Sequence, residues 1–303
     1  MAAAPAFAAG CAATHPAATN PSTAPASLQT ATKADLIAQY NRQAAAITSL
    51  NASVTMKLTA GASYTGLIQQ YHEISGFILA RKPADIRVIG QVPVVGTNLF
   101  DMASDGETFA IFVPSKSKFI TGPANLERPS PKAVENLRPQ HLIDALFWPP
   151  IQENARVLIE EAGEAELAPP RYYVLTVIRR SAASDATNSA AEGSTDWEIA
   201  RKIWFDRAGL DVARMEIYGP EGKLISDTRY ADWDAFGAVR YPRQILVART
   251  ASDYQLQIGI RKLTPNEPID AARFVLRQPP GTRLEQIGDG TEEATPSGAK
   301  DQP

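Results

Sequence analysis

The sequence predicts a mainly β, α+β fold: a meander of about twelve antiparallel strands with two or three helices on one face of the sheet. Short runs with apolar residues at alternate positions recur along most of the chain, as strands with one buried face require. Pro, Gly, Asn and Asp punctuate these runs where hairpins need them. Two apolar stripes of helical period interrupt the series. No repeat of fixed period signals a propeller or solenoid.

The N-terminus is apolar and small up to Ala8-Ala9-Gly10-Cys11, a tetrad that holds the chain's single cysteine and resembles the lipobox of bacterial lipoproteins. By that resemblance residues 1–10 are a signal-peptide remnant, Cys11 carries the lipid, and residues 11–31, rich in Ala, Thr, Pro and Ser, are a flexible tether. Ala12 is not the aspartate that retains many such proteins in the inner membrane, so the expected location is the periplasmic side of the outer membrane. One thiol cannot close an intrachain disulfide, so stability has to come from the core.

The domain is expected over 32–287. Thr32-Lys33-Ala34-Asp35 forms a capping box, and Leu36, Ile37, Tyr40, Ala44 and Ile47 follow as one helical stripe. From Leu50 the period changes to two, with Ala52, Val54, Met56 and Leu58 on one face. Strands are expected near 71–81, 85–91, 97–103, 107–113 and 118–122, then a loop at 123–136. Pro139 suits the first turn of a helix carrying Leu142, Ile143, Leu146 and Phe147, which Trp148-Pro149-Pro150 ends. A second series is expected near 155–161, 171–180, 196–206, 210–218, 223–232, 243–249 and 253–263. Residues 181–195 are small and polar and suit a hairpin tip, and 288–303 suits a disordered tail.

Catalytic chemistry is not legible. His15, His72 and His141 lack partners at metal-ligand spacing, and His72 and His141 are expected on a strand surface and a helix surface. Glu160 and Glu161 are adjacent strand positions that face opposite ways, so they suit a solvated edge. Trp197 and Trp204 are expected in the core or a cavity wall, with an aromatic sugar-binding platform as the second reading. No nucleophile elbow, phosphate loop or dinucleotide fingerprint occurs. The expectation is therefore a protein that is not an enzyme and has no cofactor or metal. The net charge of −3, with both signs interspersed, offers no basic field for nucleic acid.

Three phrases carry a resemblance to the periplasmic lipoprotein carriers LolA and LolB, closer to LolB: Gly76-Phe77-Ile78, then Arg81-Lys82-Pro83-Ala84-Asp85-Ile86-Arg87, then Val92-Pro93-Val94-Val95-Gly96-Thr97-Asn98-Leu99. The resemblance implies an unclosed, curved antiparallel β-barrel of about 11–13 strands, with helices over a concave apolar face that holds acyl chains. Cavity residues are then expected at Val54, Met56, Ile86, Val88, Phe100, Met102, Phe109, Ile111, Leu146 and Phe147. Val94 and Val95 would touch the membrane. The implied function is delivery of acylated lipoprotein or lipid cargo by a monomer, with a soluble periplasmic carrier as a further partner. An envelope stress sensor or assembly scaffold that binds a polypeptide in the same groove is the second reading.

Overall fold

The computed structural model describes residues 27–60, 69–124, 138–163, 169–180, 197–249 and 252–287. Cys11, His15, the 181–195 tip, most of the 123–136 loop and the 288–303 tail lie outside the described residues.

Helix α1 (Lys33–Ala46) opens on the expected capping box: Thr32 Oγ1 accepts from the Asp35 amide, and the Asp35 carboxylate accepts from the Thr32 amide. Its stripe Leu36, Tyr40 and Ala44 is buried. The strands of the first half are β1 (Ser49–Ala60), β2 (Gln69–Gln70), β3 (Ile74–Arg81), β4 (Asp85–Gln91), β5 (Asn98–Ser104), β6 (Thr108–Val113) and β7 (Lys118–Pro123). Helix α2 (Pro139–Leu146) follows, with Pro139 in its first turn as expected. The second half holds β8 (Arg156–Ala162), β9 (Tyr172–Arg180), β10 (Trp197–Asp206), β11 (Asp211–Tyr218), β12 (Leu224–Phe236), β13 (Val239–Arg249), β14 (Tyr254–Pro265) and β15 (Arg283–Gln286).

All strands belong to one curved sheet of order β15-β7-β6-β5-β4-β3-β1-β14-β13-β12-β11-β10-β9-β8, with β2 paired to β1. The two end strands do not pair, so the barrel is unclosed. Strand β1 is the seam, flanked by β3 and β14, and one meander hangs on each side of it. This topology explains the lid. The first meander ends at β7 and the second begins at β8, at the opposite edge, so the intervening chain has to cross the sheet. Helix α2 lies in that crossing, against β4 and β5, while α1 lies against β13.

Three details differ from the sequence expectation. Residues 233–242, between two expected strands, extend both into the long β12–β13 hairpin, where Asp232 takes a left-handed φ of 54° and the ladder resumes at Trp233 opposite Pro242. Proline is tolerated there because the pairing is already interrupted. Strand β15 was not foreseen, and it pairs with β7 in parallel, whereas every other pair is antiparallel. The chain is also already docked at Gln29, whose amide donates to Arg207 O (2.7 Å) and whose side chain donates to Ala208 O (3.0 Å).

Candidate functional site: the lidded concave face and its hairpin

Seven of the eight expected strand residues of the cavity lie in three cross-strand rows, and the eighth, Met56, stands two positions beyond Val54 on the same face of β1. Val54 leads through Gly76 and Gly90 to Phe100; Val88, Met102 and Ile111 form the next row; Ile86, Ser104 and Phe109 form the third. Leu146 and Phe147 close over them from α2. Nine of the ten belong to, or pack against, one apolar cluster, and Phe109 is buried outside it; Phe100 and Ile111 are half-buried and the others are buried. The glycine pair is the feature sequence reasoning missed. A Cβ on Gly76 would lie 2.2 Å from Ile89 O and 2.8 Å from Met56 Cε, and one on Gly90 would lie 2.4 Å from the Phe100 ring. The two glycines thus leave a hollow in the sheet surface that Met56 and Phe100 fill, and methionine readily gives such space back.

The segment after α2 is fastened by side chains from both halves. Tyr230 and Tyr241 donate to Ala145 O (3.1 Å) and Leu146 O (2.7 Å), which the helix end leaves unsatisfied. Tyr40 and Arg201 both donate to Pro149 O (3.0 and 2.7 Å), and Arg201 also reaches Pro150 O (3.0 Å). Asn41 meets both the amide and the carbonyl of Ile151 (2.8 and 2.9 Å). Trp148 is the hub: it stacks on Tyr40, packs edge-on to Tyr230 and tilts against Trp233, and its Nε1 donates to Tyr230 Oη (3.0 Å). Burial pushes the Tyr40 hydroxyl up to about 12 and the Tyr230 and Tyr241 hydroxyls well up, so all three stay protonated donors.

At the rim of the β4–β5 edge the predicted tip stands clear of the fold. Val94 is 107% and Val95 74% exposed. Hydrogen bonds from the Val92 amide to Thr97 O (2.9 Å), from the Gly96 amide to Val92 O (3.0 Å) and from the Val95 amide to Pro93 O (2.8 Å) hold the turn. Val94 adopts φ 68°, a region that β-branched residues almost never occupy. A strained, fully exposed valine has no packing reason to be there, which points to a use for the tip.

His141 does not stand free on the helix surface. It is half-buried, stacked on Tyr254 with its Nδ1 2.6 Å from the Tyr254 hydroxyl, and desolvation, aided by Arg249 and Arg138, holds its pKa down at about 2. Nor do Trp197 and Trp204 line the core. Both face outward beneath arginines, Arg156 at 3.8 Å and Arg214 at 4.7 Å from the ring centres. His72 lies in the exposed loop before β3. On the outer face a hollow of about 250 Å³, lined by Asn51, Phe77, Leu79, Arg87, Ile89 and Arg273, lies under the segment that leads to β15. Among the described residues no three His, Cys, Asp or Glu side chains are placed to hold a metal ion. No described helix is long and apolar enough to cross a membrane.

Comparison with solved structures places this arrangement beside known ones. One is a LolA superfamily protein from Nitrosomonas europaea, at 12% identity and TM-score 0.46, with 82% of this chain and 99% of that one covered. A DUF1329 family protein from Desulfovibrio piger follows at 11% and 0.46, covering 80% and 95%. A domain described as an outer membrane lipoprotein-sorting protein, from Vibrio parahaemolyticus, aligns at 11% and 0.45, covering 78% and 94%. No family model matches the sequence, and no curated protein matches it either.

Proposed function

We propose that this protein is an envelope carrier that takes an acyl chain of a lipid or lipoprotein against its concave face and passes it to a membrane through the Val94–Val95 tip. In this reading Cys11 anchors it to the outer membrane, and the ten inner-face residues named above, from Val54 to Phe147, line the acyl site. The observation that carries the reading is the tip itself: two neighbouring apolar side chains, exposed on a hydrogen-bonded turn with a left-handed valine.

The energetics support such a role. Burying two valines in a bilayer is worth roughly 3 to 5 kcal/mol, enough for a transient touch and too little for permanent residence. An acyl chain gains on the order of 10 kcal/mol from burial, and a bilayer offers nearly the same, so transfer between the two is close to balanced. In the state described here the inner face is filled by its own side chains. Loading therefore requires the segment from α2 to Ile151 to lift and Met56 and Phe100 to yield the hollow over the glycine pair. The polar groups that fasten this segment find water when it lifts, which keeps the opening cost modest.

Transfer of a triacylated lipopeptide from the protein to phosphatidylethanolamine–phosphatidylglycerol vesicles tests the proposal. Val95→Glu is expected to keep the melting temperature of the parent and to lower transfer at least tenfold, because a carboxylate at the tip opposes insertion. Unchanged transfer by this variant contradicts the reading.

A further inference from the structure

Among the described residues the open sheet has two unpaired edges, and they are built differently. Edge strands offer a row of unpaired amides and carbonyls, which proteins protect by keeping the strand short, charged or flanked by proline. Strand β15 follows this rule: four residues, Arg283-Leu284-Glu285-Gln286, shortly after Pro279-Pro280. Strand β8 does not. It runs seven residues without Pro, Gly or a break in register against β9. Leu158 is 61% and Ile159 40% exposed on it.

Its sequence, Arg156-Val157-Leu158-Ile159-Glu160, is complementary to itself in reverse. When a strand pairs antiparallel with a copy of itself, the residues that present backbone groups outward have to meet residues of the same parity, which allows only every second register. Among those allowed, the register centred on Leu158 sets Arg156 opposite Glu160 twice, Val157 opposite Ile159 twice, and Leu158 opposite Leu158. Shifting by one permitted step either way places Leu158 against Arg156 or Glu160 and leaves the charges unmatched. The charged groups are also available. Arg156 is exposed, lies over the Trp197 ring and faces no carboxylate among the described residues. Glu160 reaches Lys202 only at 3.8 Å, with its side chain 59% exposed. The exposed Lys33, which donates to Val157 O at 3.3 Å, is a single flexible contact that a second strand can displace.

We propose that β8 is a dimerisation edge, and that two copies of this chain join their sheets by antiparallel β8–β8 pairing about a twofold axis at Leu158. The interface is isologous, as a twofold contact requires, and a single strand pair is small enough that the dimer dissociates on dilution.

Sedimentation equilibrium of the full chain across the micromolar range reads the association. The parent is expected to show a concentration-dependent dimer, and Arg156→Glu or Glu160→Arg alone is expected to weaken it about tenfold or more by setting like charges opposite each other twice. The double exchange Arg156→Glu with Glu160→Arg restores opposite charges and is expected to return the constant to near that of the parent. Leu158→Cys in a Cys11→Ser background is expected to cross-link two chains under mild oxidation, and Leu158→Cys combined with Arg156→Glu far less. A parent that stays monomeric throughout, single reversals that leave association unchanged, or a double exchange that fails to recover it would each overturn the proposal.

Discussion

His141 shows how far one residue's setting can depart from its type. Its imidazole titrates near 6.5 when exposed but is held at about 2 in the fold, first by burial and then by Arg249 and Arg138. Below pH 6.5 the unfolded chain takes up a proton that the folded chain refuses. Stability is therefore retained above that pH and lost as the pH falls toward 2, by up to about 1.4 kcal/mol per unit. Asp144, raised by burial, acts with the opposite sign: its contribution is present at low pH and is lost as the pH rises through its folded value. In an Asp144→Asn background, the urea midpoint is expected to fall between pH 6.5 and 5, and adding His141→Gln is expected to flatten that fall. The sequence could not reveal this setting, because His141 stands on the polar side of the helical stripe, and its partner Tyr254 comes from β14, 113 residues away. Trp197 and Trp204 fail for a related reason: an aromatic ring on the outward phase of a strand looks like core unless the arginines above it are known.

Among the elements, α1, α2 and most strands were legible because each keeps one period and stops at recognisable turn or cap chemistry. What escaped lay where two signals conflict. Asp234 and Pro242 are poor strand formers, yet the β12–β13 ladder runs through them because Trp233, Phe236, Val239 and Tyr241 pack inward or against the apolar cluster. The hollow at Gly76 and Gly90 was hidden because a glycine in a strand is silent about what fills its place. Gly76→Ala is expected to cost about 1 to 3 kcal/mol, read as a lower urea midpoint, since the new Cβ meets the Ile89 backbone carbonyl, which cannot rotate away. The strap after α2 permits a second test. Tyr241→Phe leaves the buried Leu146 carbonyl without its donor and is expected to destabilise by about 1 to 3 kcal/mol in the same assay. If lifting the strap is part of loading, this variant should also take up a fluorescent fatty acid faster than the parent; a destabilised variant with unchanged uptake would separate the strap from the loading step.

At the level of the whole molecule, the open sheet, the crossing lid and the exposed tip follow from one topological choice. Strand β1 is the seam, so the two meanders end at opposite edges, and the link between them has to run over the concave side. The sequence disclosed the strands and the tip but not this order, because strand order depends on pairings up to about 200 residues apart, such as Ala52 with Leu263, that no local pattern encodes. The account as a whole stands on the concave face opening to admit an acyl chain. Native mass spectrometry after incubation with a triacylated lipopeptide, combined with Trp148 fluorescence, measures this directly. A one-to-one adduct per chain together with a change in Trp148 emission, both lost when Leu146→Asp is introduced at the mouth, is the predicted result. A chain that stays free of lipopeptide at saturating concentration, with its tryptophan emission unmoved, would contradict it.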